Sequence, residues 1–263
     1  MEDIYEEMIA TSKAIAAAFL PPRFYSCCAE SLEFSRSIFA EDQRVVKCRE
    51  IAYQELRDNF GHGMDHAEKV AVEAGALAVI EGARLSLKDS SRREVNTLAQ
   101  IAGLLHDLRR GEKDHAQASA LAAASLLEEL GLSPGQSRHI VEAIANHEAF
   151  VEPKKIDSAV GQMISDALYD ADKFRWGPDN FTLTLWQMLR FSQAPVVRLI
   201  PRFPKGMKGI ARIKDTFRTE AGKIYGPEFI DLGLAIGERI YQYLQQRFAA
   251  ELRAEKKDGE MGG

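Results

Sequence analysis

The sequence predicts an all-α protein: one helical bundle with additional helices at its N- and C-terminal ends. Three observations predict it. Apolar residues recur every three or four positions along nearly the whole chain, which is the spacing of one helical face. Alanine, leucine and glutamate, all good helix formers, are frequent. No stretch alternates polar and apolar residues as a half-buried strand does, and no internal repeat occurs.

Taken in order, residues 1–20 read as a helix stopped by Pro21-Pro22, and 26–40 and 43–59 as two more. Residues 1–55 carry no chemical motif and form a helical extension. Asp65 is expected to N-cap the next helix, with Glu68 at the reciprocal capping-box position and an end near Leu85. A helix from about Ser91 should end at Gly111, and one from Asp114 at Gly131. Ser133-Pro134 pairs a capping serine with proline at the first helical position and opens a helix to about Glu148. Pro153 interrupts the chain, and a helix follows from about Ile156 to Phe174. Beyond residue 178 three or more helices are expected, broken at Pro195, Pro201, Pro204 and Pro227. The resulting division is an extension over 1–55, a core over 56–180, a C-terminal helical part over 181–252 packing on that core, and a disordered tail over 253–263.

A chain of 263 residues that is 46% apolar and 28% charged can bury a large core. Its net charge of −5 suits nucleic acid poorly, because general nucleic-acid binding uses a basic face. Cys27, Cys28 and Cys48 show no metal-ligand spacing. An odd number of cysteines behind an acidic N-terminus points to free thiols and a cytoplasmic protein. No apolar run approaches the length of a membrane span.

The chemistry gathers around the pair His106-Asp107. The preceding Ile101-Ala102-Gly103-Leu104-Leu105 is apolar on every side and should be buried. Asp107 then sits near a helix C-terminus, where the dipole disfavours negative charge, and beside a core in which an uncompensated carboxylate is costly. A cation must answer it. Arg109 and Arg110 are candidates, but a metal shared with His106 accounts for both members of the pair. Three further histidines fall at helix ends on apolar faces. His66 is in register with Val70, Ala74 and Leu77; His115 with Ser119, Ala122 and Leu126; His147 with Ile140 and Ile144. Asp172 shares a face with Ile164 and Leu168, and Asp170 is its rival. Imidazole and carboxylate donors without thiolate suit Mn, Fe, Co, Ni or Zn, with Mg also admissible.

These residues resemble the HD superfamily of metal-dependent phosphohydrolases. The family pattern of a helix-borne His, an adjacent His-Asp and a distant Asp matches His66, His106-Asp107 and Asp172, and the resemblance covers roughly residues 55–180. It implies an HD-type helical bundle holding one or two divalent ions, with Asp172 rather than Asp170 as the last ligand. It also implies hydrolysis of a small phosphate ester, a nucleotide or related metabolite, by attack of metal-bound hydroxide. His115 and His147 fall where some members carry two extra ligands to a second ion, bridged by the carboxylate at Asp107. In single-metal members such histidines hold phosphate or a proton, so both are expected at the centre in either role. Leu108-Arg109-Arg110 follows the pair where nucleotidase-like members carry an acid, and no Gly-Tyr-Pro signature follows His147. No subfamily substrate is therefore implied.

Arg109, Arg110, Lys113 and Lys173 are candidates to bind phosphate oxygens, with a solvated turn as the alternative for the first three. His62 should line the mouth or cap the helix, and His139 should lie on the surface. The basic stretch from Arg198 through Arg202, Lys205, Lys208, Arg212 and Lys214 to Arg218 reads as a solvated face that could attract anions. Trp176 and Trp186 read as core. Two other functions share the fold: a di-iron oxygenase and a non-catalytic nucleotide-binding module. A homodimer is left open.

Overall fold

The structure, a computed structural model, describes residues 4–56 and 63–253. Twelve α-helices follow one another among these residues, and no strand occurs among them. They are α1 (Ile4–Ala16), α2 (Phe24–Cys27), α3 (Ala29–Glu41), α4 (Gln43–Glu55), α5 (Met64–Arg84), α6 (Asp89–Leu105), α7 (His115–Leu127), α8 (Pro134–Ala145), α9 (Ala159–Phe174), α10 (Leu185–Phe191), α11 (Phe203–Ala211) and α12 (Glu220–Arg247). A π-helical turn, Asn180–Thr184, leads into α10, and 3-10 turns flank α11 at Val196–Arg202 and Arg212–Asp215. The all-α class is therefore as the periodicity predicts.

Helices α5, α6, α8 and α9 form the centre of the bundle, with α7 against α8. Gly103 sets the approach of α6 to α5: a Cβ there would lie 2.6 Å from Ala71 Cα. That contact brings the end of α6 to the start of α5, and so His106 to His66. Helices α3 and α4 cover one side of the bundle, and α1, α10 and α12 join on another. Trp186 is fully buried and its indole N–H donates to Ser12 Oγ at 2.9 Å and to Phe181 O at 2.8 Å, tying α10 to α1. Phe174 stacks on Phe229 and Phe24 meets Phe174 edge-on, so extension, core and C-terminal part share one apolar interior.

The capping box at Ser133 is present as expected: Ser133 Oγ accepts from Gln136 N, and the Gln136 side chain accepts from Ser133 N. Gly131 takes the left-handed conformation expected of it, with φ of +66°. The expected box at Asp65 and Glu68 is not formed. The N-cap is Gly63, and Glu68 turns instead to Arg49 at 2.9 Å. Helix α6 ends at Leu105 rather than Gly111, because residues 106–112 close successive three-residue turns, Arg110 N to Asp107 O and Glu112 N to Arg109 O among them. Helix α8 likewise ends at Ala145, leaving His147 two residues beyond it. Pro227 does not break the chain but lies inside α12. The carbonyl it deprives of a donor belongs to Lys223, on the exposed side where water can satisfy it. His62 lies outside the described residues, as does the expected tail except for Arg253, which is helical.

Candidate metal centre

Six side chains from five places in the sequence meet at one end of the α5–α6–α8–α9 core. His66 comes from the first turn of α5, and His106 and Asp107 follow α6. His115 opens α7, His147 follows α8, and Asp172 lies in the last turn of α9. His66, His106, Asp107, His147 and Asp172 are buried, and His115 is half-buried.

Two imidazoles are aimed by their own backbone. His106 Nδ1 lies 2.7 Å from Gly103 O, and His147 Nδ1 lies 2.6 Å from Ile144 O. Only an N–H can donate to a carbonyl, so each ring carries a proton at Nδ1 and turns its Nε2 to the centre. Both carbonyls belong to the last turns of α6 and α8, where regular helical bonding stops.

Asp107 divides the centre in two. Its Oδ2 lies 3.4 Å from His106 Nε2 and 3.9 Å from His66 Nε2. Asp172 Oδ1 closes the same lobe, 3.4 Å from His66 Nε2 and 3.7 Å from His106 Nε2. Asp107 Oδ1 faces the other lobe, with His147 Nε2 at 3.5 Å and His115 Nε2 at 3.9 Å. Arg110 enters this second lobe: its Nη1 lies 2.8 Å from His115 Nε2 and 3.8 Å from Asp107 Oδ1. Two groups of three ligand atoms could each hold an ion, His66 with His106 and Asp172, and His106 with Asp107 and His147.

The donors fit a divalent cation. His147 Nε2 is buried without a hydrogen bond, and His66 and His106 turn Nε2 atoms towards each other at 3.3 Å. Burial works against charge on His106, yet Asp107 and then Asp172 outweigh it and hold its imidazole up at about 10. Burial likewise opposes charge on Asp172, but Lys173 and the two histidines hold its carboxyl well below the usual range. A centre that must keep a proton between two carboxylates is one that a metal ion would occupy in the proton's place. Burial lowers His147, and burial with the charges of His147 and Arg110 brings His115 down to about 4.

His106 and His115 shape opposite limbs of the pH dependence of stability. The His106 shift favours the fold below about 6.5, and that contribution is lost as pH rises through about 10. The His115 shift is opposite and favours the fold increasingly as pH rises from about 4 to 6.5. Thermal melts of metal-free protein should therefore show a maximum near pH 6.5. Added zinc or manganese should shift the upper limb upward and release about one proton per ion, read by calorimetry in buffers of different ionisation enthalpy. An unchanged melting profile and no proton release would remove the centre's claim to a metal.

Of the expected phosphate ligands, Arg110 reaches the centre and Lys173 borders it, buried with Nζ 2.5 Å from Asp172 Oδ2. Arg109 turns away towards Glu55 at 3.7 Å and Glu112 at 3.9 Å, and Lys113 stands exposed. Asp170 is separate from the centre. It accepts from Arg218 N, Thr219 N and Thr219 Oγ1, all within 2.8 Å, and so anchors the start of α12. His139 is not on the surface as expected: it is half-buried beside Gly161, with Ser158 Oγ at 3.4 Å.

One feature was not anticipated from the sequence. A pocket of about 190 Å³ opens beside His66, bounded by Lys69, Asp179, Thr184 and Gln187. Lys69 was legible, since it lies one turn beyond His66. The other three come from the π-helical turn and its flanks, where no periodicity signals an inward face.

No protein-family model matches the chain, and no curated protein matches it. Among solved structures, the chain is similar to a predicted HD superfamily hydrolase from an uncultured Thermotogales bacterium. Identity is 20%, coverage is 88% of this chain and 94% of that one, and the TM-score is 0.36. So loose a likeness places no residue; the ligand assignments rest on the side chains themselves.

Proposed function

We propose that the chain is a metal-dependent phosphohydrolase of HD type, acting on a small phosphate ester such as a nucleotide or related metabolite. The observation that carries this reading is the split of Asp107 between a lobe of metal donors and a lobe that already contains a guanidinium. His66, His106, Asp107 and Asp172 would hold one divalent ion. When bound, such an ion supplies Lewis acidity and lowers the pKa of a coordinated water towards neutrality.

The protein's own groups account for the rest. Arg110, in the second lobe, presents paired N–H donors suited to phosphoryl oxygens. Burial keeps His147 and His115 neutral at pH 7. His115 Nε2 is engaged by Arg110, whereas His147 Nε2 is open and is the acceptor available for a proton from the attacking water. Lys173 fixes Asp172 and adds positive charge at the edge of the centre. The pocket beside His66 receives the remainder of the ester, with Lys69, Thr184 and Gln187 able to meet hydroxyls or a base edge.

A di-iron oxygenase is the second reading, because the two oxygens of Asp107 face separate imidazole pairs. Arg110 weighs against it, since a second cation would have to share the lobe with a guanidinium. The experiment is metal analysis of protein purified with and without oxygen, followed by a phosphate-release screen over phosphorylated metabolites. About one ion per chain and turnover of phosphate monoesters are expected. Two irons per chain with oxygen consumption and no phosphate release would overturn the reading.

A further inference from the structure

Between Asp179 and Asp215 the chain carries seven lysines and arginines and no acid, although acids outnumber these cations overall by 39 to 34. Two of the seven are neutralised: Arg190 pairs with Glu6 and Lys214 with Asp231, both at 2.6 Å. Arg198, Arg202, Lys205, Lys208 and Arg212 are exposed, and none of them ion-pairs with a carboxylate among the described residues. Spacings of three, three and four from Arg202 to Arg212 put these cations on one side of α11 and its flanking turns. The opposite side, Phe203, Ile210 and Ile213, is buried in the core. The row is thus anchored by its apolar face and solvated on its basic one.

Two glycines interrupt this basic face. A Cβ added at Gly206 or Gly209 would meet nothing within 4 Å, and neither has a left-handed φ. A glycine inside a helix costs about 1 kcal/mol relative to alanine. Packing gives no reason for that cost at either position. Bare backbone beside Lys205 and Lys208 does let a narrow partner lie against the helix with a lysine on each side.

The row ends at an aromatic ring. The Arg212 guanidinium lies over Phe150, 4.5 Å from its centroid. Phe150 is 49% exposed and has φ of +65°, an unfavourable region for a bulky side chain that persists where the surroundings impose it. It belongs to the loop that follows His147. Arg218 pins the chain beyond the row to the end of α8, just before that loop, donating to Asn146 O at 3.0 Å.

We propose that the Arg198–Arg212 face is a docking surface for a single-stranded polynucleotide, with the Phe150–Arg212 pair stacking a base at one end. Unpaired cations next to an exposed ring are what a strand of phosphates and bases requires. A flat bilayer gains nothing from glycine gaps, and the apolar side of the segment is already buried, so it cannot insert. The chain-wide acidity that argues against general nucleic-acid binding makes this contact local and salt-sensitive. It stands independently of the reaction at the metal centre, because binding is read without turnover.

The test is fluorescence anisotropy with a labelled oligothymidylate of about 12 nucleotides, titrated at several salt concentrations, with phosphatidylserine vesicles as a parallel arm. Four to five contacts predict a log–log salt slope of about −3. Lys205→Glu with Lys208→Glu should weaken binding at least about 10-fold and reduce the slope by about 1.4. Phe150→Ala should weaken it several-fold with the slope unchanged. Phosphate release from a small ester should be the same in the lysine variant as in the parent, and circular dichroism should show both variants folded. No oligonucleotide binding at low salt, binding indifferent to the charge reversal, or adsorption to vesicles without oligonucleotide binding would each overturn the proposal.

Discussion

Asp107→Ala is expected to empty the centre of metal and to lower phosphate release by about 10³-fold or more, equivalent to roughly 4 kcal/mol of barrier. The size follows from the position of Asp107. Its Oδ2 completes the donor lobe with His66, His106 and Asp172, and its Oδ1 orders His147, His115 and Arg110 in the other. No neighbouring carboxylate can replace both oxygens. Asp107→Asn keeps the shape and loses the charge, so it should retain part of the metal at high metal concentration. The charge pattern adds an independent readout. Without Asp107 the largest influence raising His106 is gone, so the upper limb of the metal-free stability profile should move to lower pH. Asp170→Asn is the internal control: this carboxylate is equally buried and shares α9 with Asp172, but it holds the start of α12. It should cost stability and leave metal content intact. Full metal content and turnover in Asp107→Ala would end the assignment.

Much of the centre was legible because its members obey helical periodicity. His66 and Asp172 lie in register with buried aliphatic residues, and His115 with the buried Ser119 and the half-buried Ala122 and Leu126; a polar group at such a place needs a partner. His106-Asp107 stood out for the same reason, following five apolar residues. What sequence reasoning misplaced were the helix ends. Gly111 and Glu148 looked like natural termini, yet α6 and α8 stop several residues earlier. Their last carbonyls are taken by the Nδ1 protons of His106 and His147, a side-chain cap that no propensity encodes. Asp170 and Asp172 are two residues apart on one helix, and only the position of α12 shows which of them turns to the centre and which caps a neighbour. Arg109 and Arg110 are adjacent and alike, and Glu55, from a distant helix, decides between them. The buried charges missed altogether, Glu73 and Arg175, had a visible signal. Glu73 falls within the apolar stripe of Val70, Ala74 and Leu77 on α5, where a carboxylate demands a cation.

Arg175→Met should be the most damaging change outside the centre, lowering stability by about 3–5 kcal/mol. Arg175 and Glu73 side chains are each 6% exposed and meet at 2.5 Å. Arg175 also reaches Asp179 at 2.6 Å and Tyr25 Oη at 3.1 Å, while Tyr25 donates to Glu73 at 2.8 Å. One guanidinium therefore joins α2, α5, α9 and the π-helical turn that borders the His66 pocket. Burial pushes Glu73 up, and Arg175 is the chief group opposing that push. With Arg175 removed, the carboxylate must either stay charged in the core or take a proton. A carboxyl held above its unfolded pKa keeps its proton longer in the native state, so stability falls as pH rises above about 4.5. The variant should accordingly be closer to the parent at pH 5 than at pH 8. A loss of this size corresponds to a melting temperature lower by about 10 °C for a chain of this length. Glu73→Gln combined with Arg175→Met should recover much of it, since an uncharged pair leaves no isolated ion. Equal melting temperatures for parent and single variant, or a double variant worse than the sum of its parts, would show that the pair does not act as the buried clamp its geometry indicates. Loss of the clamp also frees Asp179 from Arg175 and leaves it Lys69 as its ion-pair partner among the described residues. The affinity of the pocket for the ester should then weaken while metal content stays constant, separating a defect in substrate positioning from a defect in the centre.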